Sequence, residues 1–90
     1  MGKKRDKLDI TIDILDSLMK RDGVLKKTRL LYRANLSHTL LNEFLDALEK
    51  EECLVINKKG SNIFIELTEK GYKKFSELQK IKKLKSNFEF

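Results

Sequence analysis

The residues of this chain that can do chemistry are hydrogen-bonding and cationic, and most stand in one stretch. Residues 26–44, KKTRLLYRANLSHTLLNEF, hold Lys26, Lys27, Arg29 and Arg33, then Ser37, His38, Thr39 and Asn42. Two further cations, Lys58 and Lys59, lie in NKKGSN, residues 57–62. Lysine and arginine neutralise phosphate oxygens. Serine and threonine bond either phosphate or a base edge, and asparagine can bond adenine through two hydrogen bonds. These groups suit recognition of a polyanion rather than bond-breaking. The chain has no Gly-rich phosphate loop, no paired-His motif and no Ser or Cys beside a base. It is expected not to be an enzyme and to need no cofactor. One His and one Cys do not make a metal site by themselves. His38 reads as a surface or phosphate-contacting residue rather than a ligand or general base.

Composition sets limits on the rest. Ninety residues make one domain near the small end of what folds alone. Chains of this size bury only about 60–65% of their unfolded surface, so dimerisation would help the core. The single Cys53 excludes an intrachain disulfide, and a free thiol in an apolar run suits a reducing cytosol. The sequence has no run of about 18 or more apolar residues. The start, MGKKRDKLDI, has basic residues but no long apolar segment of a secretory signal. A cytoplasmic, nucleoid-associated location is expected. The net charge is +6, unevenly spread. Residues 20–35 carry six basic groups and one acidic, while residues 36–56 carry Lys50 against Glu43, Asp46, Glu49, Glu51 and Glu52. Residues 57–85 carry nine lysines and three glutamates. Two basic blocks flank an acidic one. That favours a polyanionic partner, although a solvated Lys-rich surface carries the same charge.

The elements that must position these groups follow from periodicity and caps. Residues 6–21 read as a helix with Leu8, Ile12, Leu15 and Met19 on one face. Asp6 caps its start, and Asp22-Gly23 supplies a left-handed stop. Ile10 and Ile14 lie off that face; they either reach a second element of the core or touch another subunit. Val24-Leu25 is at most a brief strand. Residues 28–34 read as a second helix with Thr28 as cap, Leu30, Leu31 and Ala34 inward and Tyr32 at the margin. Asn35 can take the left-handed conformation that ends it. Ser37 then caps a third helix reaching about Glu51, with Leu36 and Leu41 as a hydrophobic staple. Leu40, Leu41, Phe44, Leu45 and Leu48 share its inner face. Residues 53–56 and 63–67 read as a hairpin around the NKKGSN turn. Thr68 caps a fourth helix. There Tyr72, Phe75, Leu78, Ile81 and Leu84 recur every third residue. At about 100° per residue that stripe winds around the helix. Tyr72 and Phe75 close the core, whereas Ile81, Leu84 and Phe88 are left for a partner chain. In the alternative reading the helix ends near Lys80 and the tail folds back.

Two capped helices joined by so tight a turn, followed by a hairpin, give a winged helix-turn-helix. The expected class is α+β, mostly α: three helices, a two-stranded wing and a C-terminal dimerisation helix. Residues 1–68 would form the DNA-binding domain and residues 69–90 the dimerisation helix. TRLLYRANLS, the apolar helix after it, and LTEKG in IFIELTEKGYKKF resemble the archaeal ArnR-like winged helix-turn-helix proteins. The resemblance covers roughly Leu8 to Leu78. That family includes small DNA-binding dimers joined by antiparallel C-terminal helices. It implies a cytoplasmic homodimer, archaeal like the family, that binds double-stranded DNA in transcription control or chromatin; no membrane partner and no small-molecule substrate are expected. Two features depart from the pattern. The third helix is acidic toward its end, and the C-terminal helix stops at SNFEF, too short for a long coiled coil. The expected DNA contacts are Lys26, Lys27, Arg29, Arg33, Ser37, His38, Thr39, Asn42, Lys58 and Lys59. The expected dimer contacts are Leu78, Ile81, Leu84 and Phe88, bordered by Ile10 and Ile14. The rival is a protein-interaction module, because an acidic third helix repels phosphate.

Overall fold

A computed structural model describes residues 5–88, with side chains described for residues 5–85. The order is α1 (Lys7–Met19), β1 (Val24–Lys26), α2 (Lys27–Ala34), α3 (His38–Lys50), β2 (Leu54–Lys59), β3 (Asn62–Leu67) and α4 (Glu69–Phe88). The strands form one antiparallel sheet in the order β1–β3–β2. β1 is a third strand beside the expected hairpin, paired through Leu25 and Ile65.

α1 starts where Asp6 accepts a hydrogen bond from the Asp9 backbone N–H at 2.8 Å, while the Asp9 carboxylate accepts from that of Asp6 at 3.3 Å. This reciprocal box satisfies two donors that the first turn leaves open. The helix is the centre of the molecule and touches α2, α4, β1 and β3. Neighbours on several sides bury a wide arc, including Ile10, Ile12, Ile14, Leu15 and Leu18. Ile10 and Ile14 therefore belong to the monomer core and are not available to another subunit, with Ile14 wholly inaccessible. Met19, expected inside, is exposed at the end of the helix, and Leu18 takes the inner place.

α1, α2 and α3 end in the same way. Asp22, Asn35 and Glu52 adopt φ of 58°, 53° and 62°. The following N–H groups of Gly23, Leu36 and Cys53 then reach back to the carbonyls of Leu18, Leu31 and Leu48. Each closure satisfies carbonyls that the last turn orphans. The hairpin is tighter than expected: Lys59 pairs with Asn62, leaving Gly60-Ser61 as the whole loop. Gly60 has φ of 61°, the positive value that the first residue of such a two-residue turn requires.

α4 begins where Thr68 Oγ1 accepts from the Gly71 backbone N–H at 3.1 Å. The Thr68 hydroxyl also donates to the Glu52 carbonyl, and its backbone N–H donates to Cys53. Phe75 is buried in the same cluster as the α1 and α3 leucines, so the core continues past residue 68. Tyr72, expected to close the core, is 41% exposed. The helix does not stop near Lys80. Lys82 and Lys85 pair with Asp9 and Asp6, laying its second half along α1. Leu78 packs at the margin of the core, and Ile81 and Leu84 are 51% and 58% exposed. The Phe88 side chain lies outside the described residues.

Candidate nucleic-acid interface

The turn between α2 and α3 is fixed from three directions. Asn35 reverses the chain in the left-handed conformation, and Ser37 caps α3 by accepting from the Leu40 N–H at 3.2 Å. Leu36 packs against the core beside buried Leu41. Arg5 completes the arrangement. Its guanidinium donates to the carbonyls of Ala34 and Asn35 at 2.6 and 2.8 Å and pairs with Asp13 at 2.9 Å. A cation at the carbonyl end of α2 also opposes the helix dipole there. Sequence reading missed Arg5. Two of its partners are backbone carbonyls 29 and 30 residues away, which carry no side-chain signature.

β1 runs straight into α2, so Lys26 occupies the cap position and Thr28, expected there, lies inside the first turn. That shift has a consequence for the site. Lys26, Lys27 and Thr28 line a groove of about 200 Å³ together with His38 from the start of α3 and Ser61, Asn62 and Ile63 from the hairpin. Both helix starts and the wing thus meet at one place. Lys26, Arg29, Arg33, Ser37, His38, Thr39, Asn42, Lys58 and Lys59 are all exposed, and Lys27 is half-buried.

The expected contacts lie on several faces of these elements. Lys58 pairs with Ile63 and Lys59 with Asn62, so the two lysines point to opposite faces of the hairpin. Lys58 is on the face of Ile63, which lines the groove. Lys59 is on the face of Asn62 and Lys26, which also line the groove, its Nζ 5.9 Å from the centre of the Phe64 ring. Arg29 and Arg33 occupy the outward side of α2, away from buried Leu30 and Ala34. With them stands Tyr32, expected at the core margin but 83% exposed. On α3, Thr39 and Asn42 share the exposed side with Glu43, Asp46 and Glu49.

Ion pairing divides the cations. Lys20, Lys70, Lys74, Lys82 and Lys85 all form ion pairs within the chain. Bonding to Glu52 raises the Lys70 pKa, and bonding to Glu51 raises that of Lys74. Among the described residues, none of Lys26, Lys27, Arg29, Arg33, Lys58 and Lys59 is in an ion pair. Their charge remains available to an external anion. Burial pushes the Cys53 thiol up, which disfavours the nucleophilic thiolate. Among the described residues no three His, Cys, Asp or Glu side chains gather to hold a metal ion. Among the described residues no helix is long and apolar enough to cross a membrane.

Solved structures share the fold. Sso10a-2, a DNA-binding protein from Sulfolobus solfataricus, superposes with a TM-score of 0.84 at 26% identity, covering 92% of this chain and 84% of its own. A winged-helix DNA-binding protein from STIV gives 0.76 at 28% identity, covering 89% and 92%. The PcaV transcriptional regulator from Streptomyces coelicolor gives 0.71 at 18% identity, covering 78% and 53%, a likeness of fold alone. No curated protein matches the sequence. Residues 4–86, nearly the whole chain, match the winged helix-turn-helix family model, and with the turn, the wing and their shared groove in place the chain belongs to that family.

Proposed function

We propose that this chain binds double-stranded DNA as a homodimer, as a sequence-preferring or architectural protein of transcription control. The observation that carries the reading is the groove where Lys26, Lys27 and His38 meet the hairpin tip, with neither lysine in an ion pair. The resemblance of TRLLYRANLS and LTEKG to the ArnR-like proteins supports the same role. So do the two DNA-binding proteins whose structures superpose on most of the chain.

The acidic side of α3 limits how it meets DNA. Glu43, Asp46 and Glu49 are exposed and, among the described residues, in no ion pair. A helix lying flat in the groove would press them against phosphates. Only its first turns enter, presenting Ser37, His38, Thr39 and Asn42, while its end tilts away. This acidic face is also what favours the second reading, docking of a basic protein partner.

Selection from a random DNA pool, followed by salt titration, tests the proposal. Arg33→Ala should lower the salt slope by about one unit per monomer. Asn42→Ala should cost about 1–3 kcal/mol on the preferred site and relax the preference there. Absence of salt-dependent binding to any duplex leaves the protein-docking reading in its place.

A further inference from the structure

We propose that Tyr32 is a contact to the sugar–phosphate backbone of DNA, its ring against a deoxyribose and its hydroxyl donating to a phosphate oxygen. The inference rests on the DNA-binding reading and adds an aromatic residue to a surface of cations and small polar groups.

Tyr32 is 83% exposed, more than any other exposed large apolar side chain described, Ile81 and Leu84 included. Its place on α2 explains why nothing in the chain covers it. Leu30 and Ala34 face the core. At about 100° per residue Tyr32 points to the opposite side. Among the described residues its hydroxyl makes no hydrogen bond. The same side carries Arg29 and Arg33, neither in an ion pair, and Thr28, which lines the groove. An apolar ring with a polar tip, on the helix side that also carries two unpaired guanidinium groups, matches a polyanion that alternates sugar with phosphate. Tyrosine is among the residues that bond phosphate oxygens and so set a protein's register on the duplex. A second copy of this chain fits less well. A two-fold contact centred on Tyr32 would gather two copies each of Arg29 and Arg33 into one patch, where like charges repel.

The chain has two tyrosines and no tryptophan. Tyr72→Phe therefore leaves Tyr32 as the sole tyrosine emitter, and its emission can be followed while a duplex of about 20 base pairs is added, long enough for two half-sites. Binding should quench it. Tyr32→Phe should weaken binding about fivefold, the loss of one net hydrogen bond, and Tyr32→Ala about tenfold or more. Both should keep the wild-type salt slope, because a neutral side chain releases no counterion. Unchanged emission with DNA bound, wild-type affinity in Tyr32→Ala, or a smaller species in sedimentation of Tyr32→Ala each overturn the inference while leaving DNA binding intact. Should the wild-type chain bind no duplex, the DNA-binding reading fails and this contact with it.

Discussion

At the scale of single residues, the start of α1 is the most pH-sensitive point described. The Asp6 carboxyl is held at about 2, below its ordinary 3.8, first by the Asp9 backbone N–H and then by Lys85. A depressed folded-state pKa contributes stability that is present above the unfolded value. That contribution is lost as pH falls through the folded value. Asp6→Ala should therefore lower Tm at neutral pH, and the gap to wild type should close between about pH 4 and 2. Thermal melts at stepped pH check this. A gap that persists at pH 2 would mean that Asp6 acts through something other than its charged form. Arg5 makes a second set of contacts at this scale. It bonds the two carbonyls at the end of α2, so its loss disturbs the turn that aims α3. Arg5→Ala should weaken DNA binding without lying on the proposed DNA face.

At the scale of elements, α4 is locked to the loop before β2 by close backbone approach. A Cβ on Gly71 would run into the Cys53 carbonyl oxygen and a Leu67 methyl. The exposed interior of a helix normally favours alanine over glycine by about 1 kcal/mol. Here the clash with fixed backbone outweighs that preference. Gly71→Ala should destabilise by about 1–3 kcal/mol, as overpacking does. Denaturant titration checks the sign, and a stabilised variant would show that α4 can move off Cys53 cheaply. The same contact accounts for the glycine of LTEKG, which neither composition nor periodicity explained.

At the scale of the whole molecule, the second half of α4 leaves apolar side chains uncovered within the chain. Phe75 is in the core, Leu78 at its margin, and Ile81 and Leu84 stand in solvent. We propose that these two pair with their copies in an antiparallel dimer. Lys82 and Lys85 are already matched with Asp9 and Asp6, which holds the helix in place while Leu84 faces outward. Burying Ile81 and Leu84 from both chains gives on the order of 6–10 kcal/mol gross. Association entropy removes much of that, consistent with a dimer in the range of about micromolar. Leu84→Asp should put an unpaired charge in the seam and yield monomers. DNA affinity should fall with it, because two linked half-sites become independent. Sedimentation of both proteins decides it; a wild-type monomer at about tens of micromolar, or an equally dimeric variant, rejects the pairing.

The sequence by itself determined the features whose partners lie within a few residues. Asp6, Ser37 and Thr68 cap helices through bonds to N–H groups three positions on, and Asn35 reverses the chain by its own backbone preference. Such bonds depend on local geometry alone, so helix order, the turn and the wing were legible before any packing was known. The exposed positions of Arg29, Arg33, Thr39 and Asn42 followed from the same periodicities. Tertiary structure decided whatever depends on distant neighbours. Ile10 and Ile14 are buried because α1 is surrounded on several sides, a fact absent from its own pattern. Thr28 lost its cap role because β1 pairs with β3 and carries the chain directly into α2. Lys58 and Lys59 parted because strand pairing continues to the end of the hairpin and alternation then sends neighbours to opposite faces. Arg5 found its carbonyls, and Lys85 found Asp6 across 79 residues, only once folding had brought them together. Local hydrogen bonds are written in short spacings, whereas burial and ion pairing belong to surfaces that exist only after the chain has closed on itself.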